Sequence, residues 1–196
     1  MRAFVILGHK VALTSEFTLN DLPGSAGRLD VLCRCVNASL FLSHDLRRDV
    51  NVYLSLQDQL TVSISGEYVK RLNPDERSTG ALVKKALQKI QTHEGSEPMR
   101  SSPGIHIVRQ TFADLIAMLK NENYEPVLLH ENMPALREAP IPEKPVFVLS
   151  DHMDFTESEL SLLKDATRLS VGPKIYPASH CITVVNNELD LRSVQA

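Results

Sequence analysis

Residues 105–129 read IHIVRQTFADLIAMLKNENYEPVLL, and this pattern decides the fold class. Ile105 to Val108 is a short stretch with β-branched Ile105, Ile107 and Val108, which suits a strand. From Phe112 to Leu119 apolar residues recur every three or four positions, the spacing of one helix face. Val127 to Leu129 is again a strand. The alternation continues with a strand at Val146 to Leu149 and a helix opened by Thr156-Glu157-Ser158-Glu159, a capping box in which Thr and Glu each satisfy the other's free amide. Strands alternating with helices predict an α/β protein, its mainly parallel sheet flanked by helices, with ligands at the carboxyl ends of the strands. Leu129-His130, Leu149-Ser150 and Leu169 to Pro173 are such ends.

Working outward, Ala3 to Leu7 is a continuous apolar run closed by Gly8, a buried strand. Leu29, Leu32, Cys33, Val36 and Leu40 give a helix with Arg28 and Asp30 at its first turn. Val50, Val52, Leu54 and Leu56 alternate with Asn51, Tyr53 and Ser55, which predicts a half-buried strand. Val62 to Ile64 and Tyr68-Val69 flank Ser65-Gly66, the pattern of a short hairpin. Asn73-Pro74-Asp75-Glu76 predicts a helix start with Asn73 as cap, followed by an inward face of Leu82, Val83, Ala86, Leu87 and Ile90. Thr92 to Gly104, rich in Gly, Ser and Pro, is the longest expected loop and a place where a domain boundary would fit. Cys181 to Val185 has strand propensity but helical spacing of Ile182, Val185 and Leu189, so local rules leave it undecided.

With 43% hydrophobic and 23% charged residues, the 196-residue chain can bury a core, which excludes a disordered or fibrous protein. No window approaches eighteen apolar residues, and the opening run is too short for a signal peptide, so a cytoplasmic protein is expected. Cys33, Cys35 and Cys181 lack metal-ligand spacing and the histidines form no His-x-x-x-His pair, so neither a disulfide framework nor a metal is expected. The net charge of -3 conceals an asymmetry. Residues 1–100 carry 13 Lys+Arg against 11 Asp+Glu, a balance of +2, and residues 101–196 carry 8 against 13, a balance of -5. An RNA partner, if there is one, should meet the first half.

Gly24-Ser25-Ala26-Gly27 lacks the Lys and the preceding strand of a phosphate loop and reads as a turn into a helix. Ser150-Asp151-His152 offers three catalytic residue types in a row, but a working triad is assembled from separate elements. Arg28-Leu29-Asp30 with His44-Asp45-Leu46-Arg47-Arg48-Asp49 is sharper, since forked guanidiniums suit phosphates and a neighbouring carboxylate can accept a proton or orient a base. Ion pairs at helix ends account equally well for the same residues. Arg168 to Pro173 and Ser179 to Val184 place a Gly-Pro turn beside apolar segments, a setting for a flat heterocycle and equally for an ordinary turn.

Taken together, Asp21 to Cys35, Phe41 to Asp49 and His180-Cys181-Ile182-Thr183-Val184, with Asn73-Pro74-Asp75-Glu76-Arg77 and Ser150-Asp151-His152, resemble the TrmY family of the SPOUT superfamily, the tRNA pseudouridine N1-methyltransferases. The resemblance runs end to end. It implies a single SPOUT methyltransferase domain over residues 1–196, with an RNA-facing N-terminal part and a deep C-terminal trefoil knot within about 105–196. It also implies a homodimer, S-adenosylmethionine (SAM) held in the knot, and a helix for the last segment. Cofactor contacts carried over by position are Leu129, Ser150, Val171, Gly172, Pro173, Lys174, Ile175, Tyr176 and Cys181. Asp30 and Arg28 would be catalytic, and Arg47, Arg48 and Arg77 would grip RNA phosphates, with dimerisation bringing two Arg47-Arg48 edges together. The implied reaction is methylation of N1 of a pseudouridine in the T-loop of tRNA, position 54 in archaea; a pseudouridine in another RNA such as rRNA, or a non-catalytic SAM- or RNA-binding protein, are the alternatives. Ser150 in place of Gly, the bulkier Lys174 and Tyr176, and a short stretch from Gln57 to Ser63 depart from the archaeal pattern and resemble a bacterial-type branch.

Overall fold

Ala3 to Leu7 are sealed from solvent at the centre of the sheet in the computed structural model, which describes residues 1–195. Among the described residues the strands are β1 (Arg2–Gly8), β2 (Val50–Leu56), β3 (Leu60–Ser65), β4 (Met99–Ser102), β5 (Ile105–Arg109), β6 (Glu125–Leu129), β7 (Pro145–Ser150) and β8 (Thr167–Leu169). The helices are α1 (Leu22–Ser25), α2 (Leu29–Leu40), α3 (Glu76–Gln91), α4 (Phe112–Asn121), α5 (Glu157–Leu162) and α6 (Ala178–Gln195). One sheet takes the order β4-β5-β3-β2-β1-β7-β6-β8. Strands β2, β1, β7, β6 and β8 are parallel, while β3, β5 and β4 extend the sheet by antiparallel pairing.

Side chains alternate across the sheet and divide the core in two. Phe4 and Ile6 point to the layer of α2, α3 and α6, where Phe4 stacks on Phe147 at 5.7 Å between ring centroids. Ala3, Val5 and Leu7 point to the layer of α4 and the end of α5, with Phe112, Leu115, Leu119 and Leu163. The α/β class, the long helices and the capping box at Thr156 agree with the sequence reading.

Four local expectations are corrected. β2 is buried on both faces, because it is an inner strand with helices on each side. The hairpin lies at Gln57-Asp58, both at positive φ (48° and 55°), rather than at Ser65-Gly66, since β3 pairs back on β2 and then on β5. Asp75, whose carboxylate accepts the Ser78 amide at 2.7 Å, caps α3 in place of Asn73. Residues 99–102 of the expected loop form β4, which joins the stretch to the sheet.

The undecided segment after Cys181 is the helix α6. Cys181, Ile182, Val185, Asn186 and Glu188 form its buried face, and the two polar members obscure the apolar periodicity. Asn186 is satisfied by donating to the carbonyls of Ala38 and Ser39 at the end of α2. No described helix is long and apolar enough to cross a membrane.

Candidate active site

Arg28 precedes α2 in the left-handed conformation, φ 69°, an unusual setting for a residue with a side chain. Gly27 before it, at φ 58°, makes this possible: a Cβ there would sit 1.8 Å from the Lys10 carbonyl oxygen. The chain is thus pressed against the loop after β1, and the Ala12 amide donates to the Ala26 carbonyl. Arg28 then grips Asp30 with two parallel bonds, Nε to Oδ1 at 3.0 Å and Nη2 to Oδ2 at 3.1 Å. Arg34, one turn on, donates to Asp30 Oδ2 at 2.8 Å and to Glu76 at 3.0 Å. Burial alone would raise the Asp30 pKa, but the hydrogen bonds and charges of the two guanidiniums outweigh it and hold the carboxyl below its ordinary range. Asp30 is nearly sealed at 4% side-chain exposure, whereas Arg28 is 41% exposed, so an incoming group meets the guanidinium first.

A second cleft, of about 340 Å³, opens at the carboxyl ends of β6 and β8. It brings together Leu129, Val171, Gly172, Lys174, Ile175, Tyr176 and Cys181, seven of the nine expected cofactor residues. Pro173 and Ser150 are not among its walls; Ser150 ends β7 and donates its hydroxyl to the Met153 carbonyl. The cleft adds Ser170, His130 and Glu131. The strand-end rule points to His130 and to Ser170 within Leu169 to Pro173, whereas no sequence signal singles out Glu131. Gly172, at φ 152°, lets the loop turn under the Tyr176 ring, and Ser170 Oγ braces it by accepting the Gly172 amide at 3.1 Å. Ile175 is 82% exposed and Tyr176 40%, so apolar surface lies uncovered beside backbone polar groups. That combination fits the adenosyl part of SAM, whose flat base needs apolar cover and backbone partners. Helix α6, which carries Cys181, packs along α2, and Arg34 shares a groove with His180 and Thr183, so the cleft and the Asp30 network adjoin the same helix pair.

The loop after β1 holds a cluster that sequence reasoning missed. His9 lies with Nδ1 3.0 Å from Asp151 and Nε2 3.2 Å from Glu159, residues 142 and 150 positions away. His9 and Glu159 also line a cleft of about 540 Å³ with Leu7, Ser55, Asp58 and Phe112. Nothing local to any of the three residues announces this pairing.

The expected RNA-binding arginines differ in availability. Arg77 is exposed and forms no ion pair among the described residues, and Arg48 is 50% exposed, held by Asp45 and the Gly66 carbonyl. Arg47 is not free: its guanidinium, 14% exposed, is held at 2.7 Å by Asp190 of α6. That pairing ties it to α6 and leaves Arg48 and Arg77 the more accessible of the three. The described residues include no cluster of three or more His, Cys, Asp or Glu placed to hold a metal ion.

A family described as "Putative SAM-dependent RNA methyltransferase" matches residues 1–194. The tRNA (pseudouridine(54)-N(1))-methyltransferase of Haloferax volcanii is 48% identical over 192 residues, covering 97% of this chain and 96% of the relative. That of Methanocorpusculum labreanum is 47% identical over 205 residues, with both chains covered in full. Among solved structures, Archaeoglobus fulgidus Nep1 bound to S-adenosylhomocysteine has the same fold, with a TM-score of 0.70 at 15% identity over 98% of this chain and 99% of that one.

Proposed function

The chain belongs to this family of SAM-dependent RNA methyltransferases, and from that premise we propose that it methylates N1 of a pseudouridine in tRNA, at position 54. The observation that carries the reading is the bidentate Arg28–Asp30 pair, set on the helix that packs against the one bearing Cys181 of the cleft. Bound SAM supplies a methyl group on a good leaving group, so what remains for the protein is alignment and loss of the N1 proton. Asp30, ionised and shared between two guanidiniums, is a weak proton acceptor; Oδ1 keeps a lone pair with which to accept an N1–H bond and orient the base. Arg28, partly exposed beside it, is placed to stabilise negative charge on a carbonyl oxygen of the base. Leu129, Val171, Ile175 and Cys181 give the cofactor an apolar seat, with Lys174 and Tyr176 at its rim.

The same reading includes one SPOUT domain knotted at its C-terminal end, a homodimer and a cytoplasmic location. Support for the knot comes from the 131–139 loop. Ala135 pairs with Ser170 after β8, and Arg192 of α6 donates to the Leu136 and Ala139 carbonyls, so one loop contacts both. Arg48 and Arg77 are the phosphate contacts this arrangement leaves available.

The test is transfer of labelled methyl from SAM to tRNA transcripts carrying pseudouridine or uridine at position 54. Methylation of the pseudouridine transcript alone is expected. Equal labelling of uridine overturns the N1 chemistry, labelling of rRNA but not tRNA moves the target, and no transfer to any RNA leaves a binding protein.

A further inference from the structure

Both ring nitrogens of His9 face carboxylates, Asp151 at 3.0 Å and Glu159 at 3.2 Å. An ionised carboxylate only accepts, so both nitrogens must donate, and only the imidazolium carries two N–H groups. Asp151, with no exposed side-chain surface, is held further by the His9 and Met153 amides, each at 2.9 Å. Glu159 also accepts the Thr156 amide at the start of α5. Helix α5 buries none of its own residues, so the Glu159–His9 contact is a polar tie between it and the central strand. Burial works against the charged ring, but hydrogen bonds and charge from both carboxylates outweigh it and raise the His9 pKa above its ordinary value. Other charges face the cluster: Asp58 from the β2–β3 turn lines the same cleft, Arg28 on the α2 side lies within reach of the Asp151 charge, and His152 Nδ1 stands 3.5 Å from Asp151.

We propose that protonated His9 is a positioning residue for the cofactor: by holding Asp151 and Glu159 together it fixes the connection that leaves the end of β7, the strand next to β6, whose last residue Leu129 walls the SAM cleft. The proposal rests on the reading of that cleft as a SAM site. A neutral imidazole keeps one N–H, so one carboxylate then faces a lone pair and the connection loosens. Because coupling is reciprocal, protonation tightens SAM only as far as SAM raises the His9 pKa; half a unit to one unit corresponds to about three- to tenfold in affinity.

The experiment is calorimetric titration of SAM into the full-length wild type, His9→Gln and Glu159→Gln between pH 5.5 and 8.5. Wild-type affinity is expected to fall about three- to tenfold as pH rises, His9→Gln to bind with the weak value and to lose that component, and Glu159→Gln to move its midpoint to lower pH. His130 in the cleft and His152 are present in all three proteins, so the comparison reads the substituted side chain. Parallel pH profiles for wild type and His9→Gln overturn the proposal. NMR of 15N-labelled histidine in the SAM-free protein is the second readout: two protonated His9 ring nitrogens at pH 7, where an ordinary imidazole is mostly neutral, support the clamp, and a neutral ring overturns it. Absence of SAM binding at every pH overturns the cofactor reading instead, and the ring spectrum tells the two failures apart.

Discussion

The guanidinium of Arg2 lies 2.9 Å from the carboxylate of Asp190, joining the first residue of β1 to the last helix. The same carboxylate holds Arg47 at 2.7 Å, and Arg2 reaches Asn186 and Asp49 as well. Arg2 and Arg47 are only 10% and 14% exposed, so Asp190 is an anion shared by two largely buried cations. Asp190→Ala is expected to destabilise the protein by about 1–3 kcal/mol, because it leaves Arg47 without its anion and Arg2 with Asp49 alone. Arg48→Ala, which removes a half-exposed pair with Asp45, should cost under about 1 kcal/mol. Urea denaturation of the two variants checks this, and equal costs would remove Asp190 from its role as a fastener of α6.

The contrast between these residues also shows where sequence reading stops. Helices α2, α4 and α5 were legible because apolar spacing and the capping box at Thr156 are local. Strand neighbours are not local. Residues 105–129 are strand, helix, strand as read, yet β5 and β6 are separated by β3, β2, β1 and β7. Parallel and antiparallel strands share one period of two, so β3, β4 and β5 could not be told apart from the parallel group. In the candidate site, the loop 171–176 and the Arg28–Asp30 pair were reachable through family motifs. His9, Asp151 and Glu159 were not, because their only shared property is a contact created by folding.

Gly27→Ala tests how Arg28 is presented. The new methyl group would meet the Lys10 carbonyl carbon as well as its oxygen, at 2.7 and 1.8 Å, in a backbone conformation that disfavours any Cβ. A loss of about 2–4 kcal/mol in stability is expected, together with a larger loss of methyl transfer than of SAM affinity. Wild-type stability in thermal and urea unfolding would show that the loop shifts freely and does not set the position of Arg28.

Charge reversal separates the three arginines. Arg77→Glu and Arg48→Glu are expected to weaken tRNA binding at low salt, to flatten its dependence on salt and to leave thermal stability within about 0.5 kcal/mol. Arg47→Glu places an acid against Asp190 and should act first on folding, with a lower midpoint in urea. Normal stability combined with lost RNA affinity in Arg47→Glu would show that Arg47 leaves Asp190 to meet phosphate.

Asp30 has a folded-state pKa below its unfolded value, so its pairing stabilises the protein above the unfolded pKa, near 3.8, and that stabilisation disappears as pH falls through the folded pKa. Asp30→Asn should therefore cost about 1–3 kcal/mol at pH 7, a gap that narrows below about pH 4. The same ionisation constrains the kinetics. Asp30 stays charged across pH 5–9, so any rise of rate with pH in that range belongs to another group. If Asp30 orients the base and does not remove the proton, Asp30→Asn lowers methyl transfer by about 10²-fold or more and by one constant factor at every pH, while SAM affinity changes little. Single-turnover rates from pH 5 to 9 for the two proteins decide the matter. A factor that grows with pH would mean that Asp30 itself titrates in the reaction, and that substrate displaces Arg28 or Arg34 to let it do so.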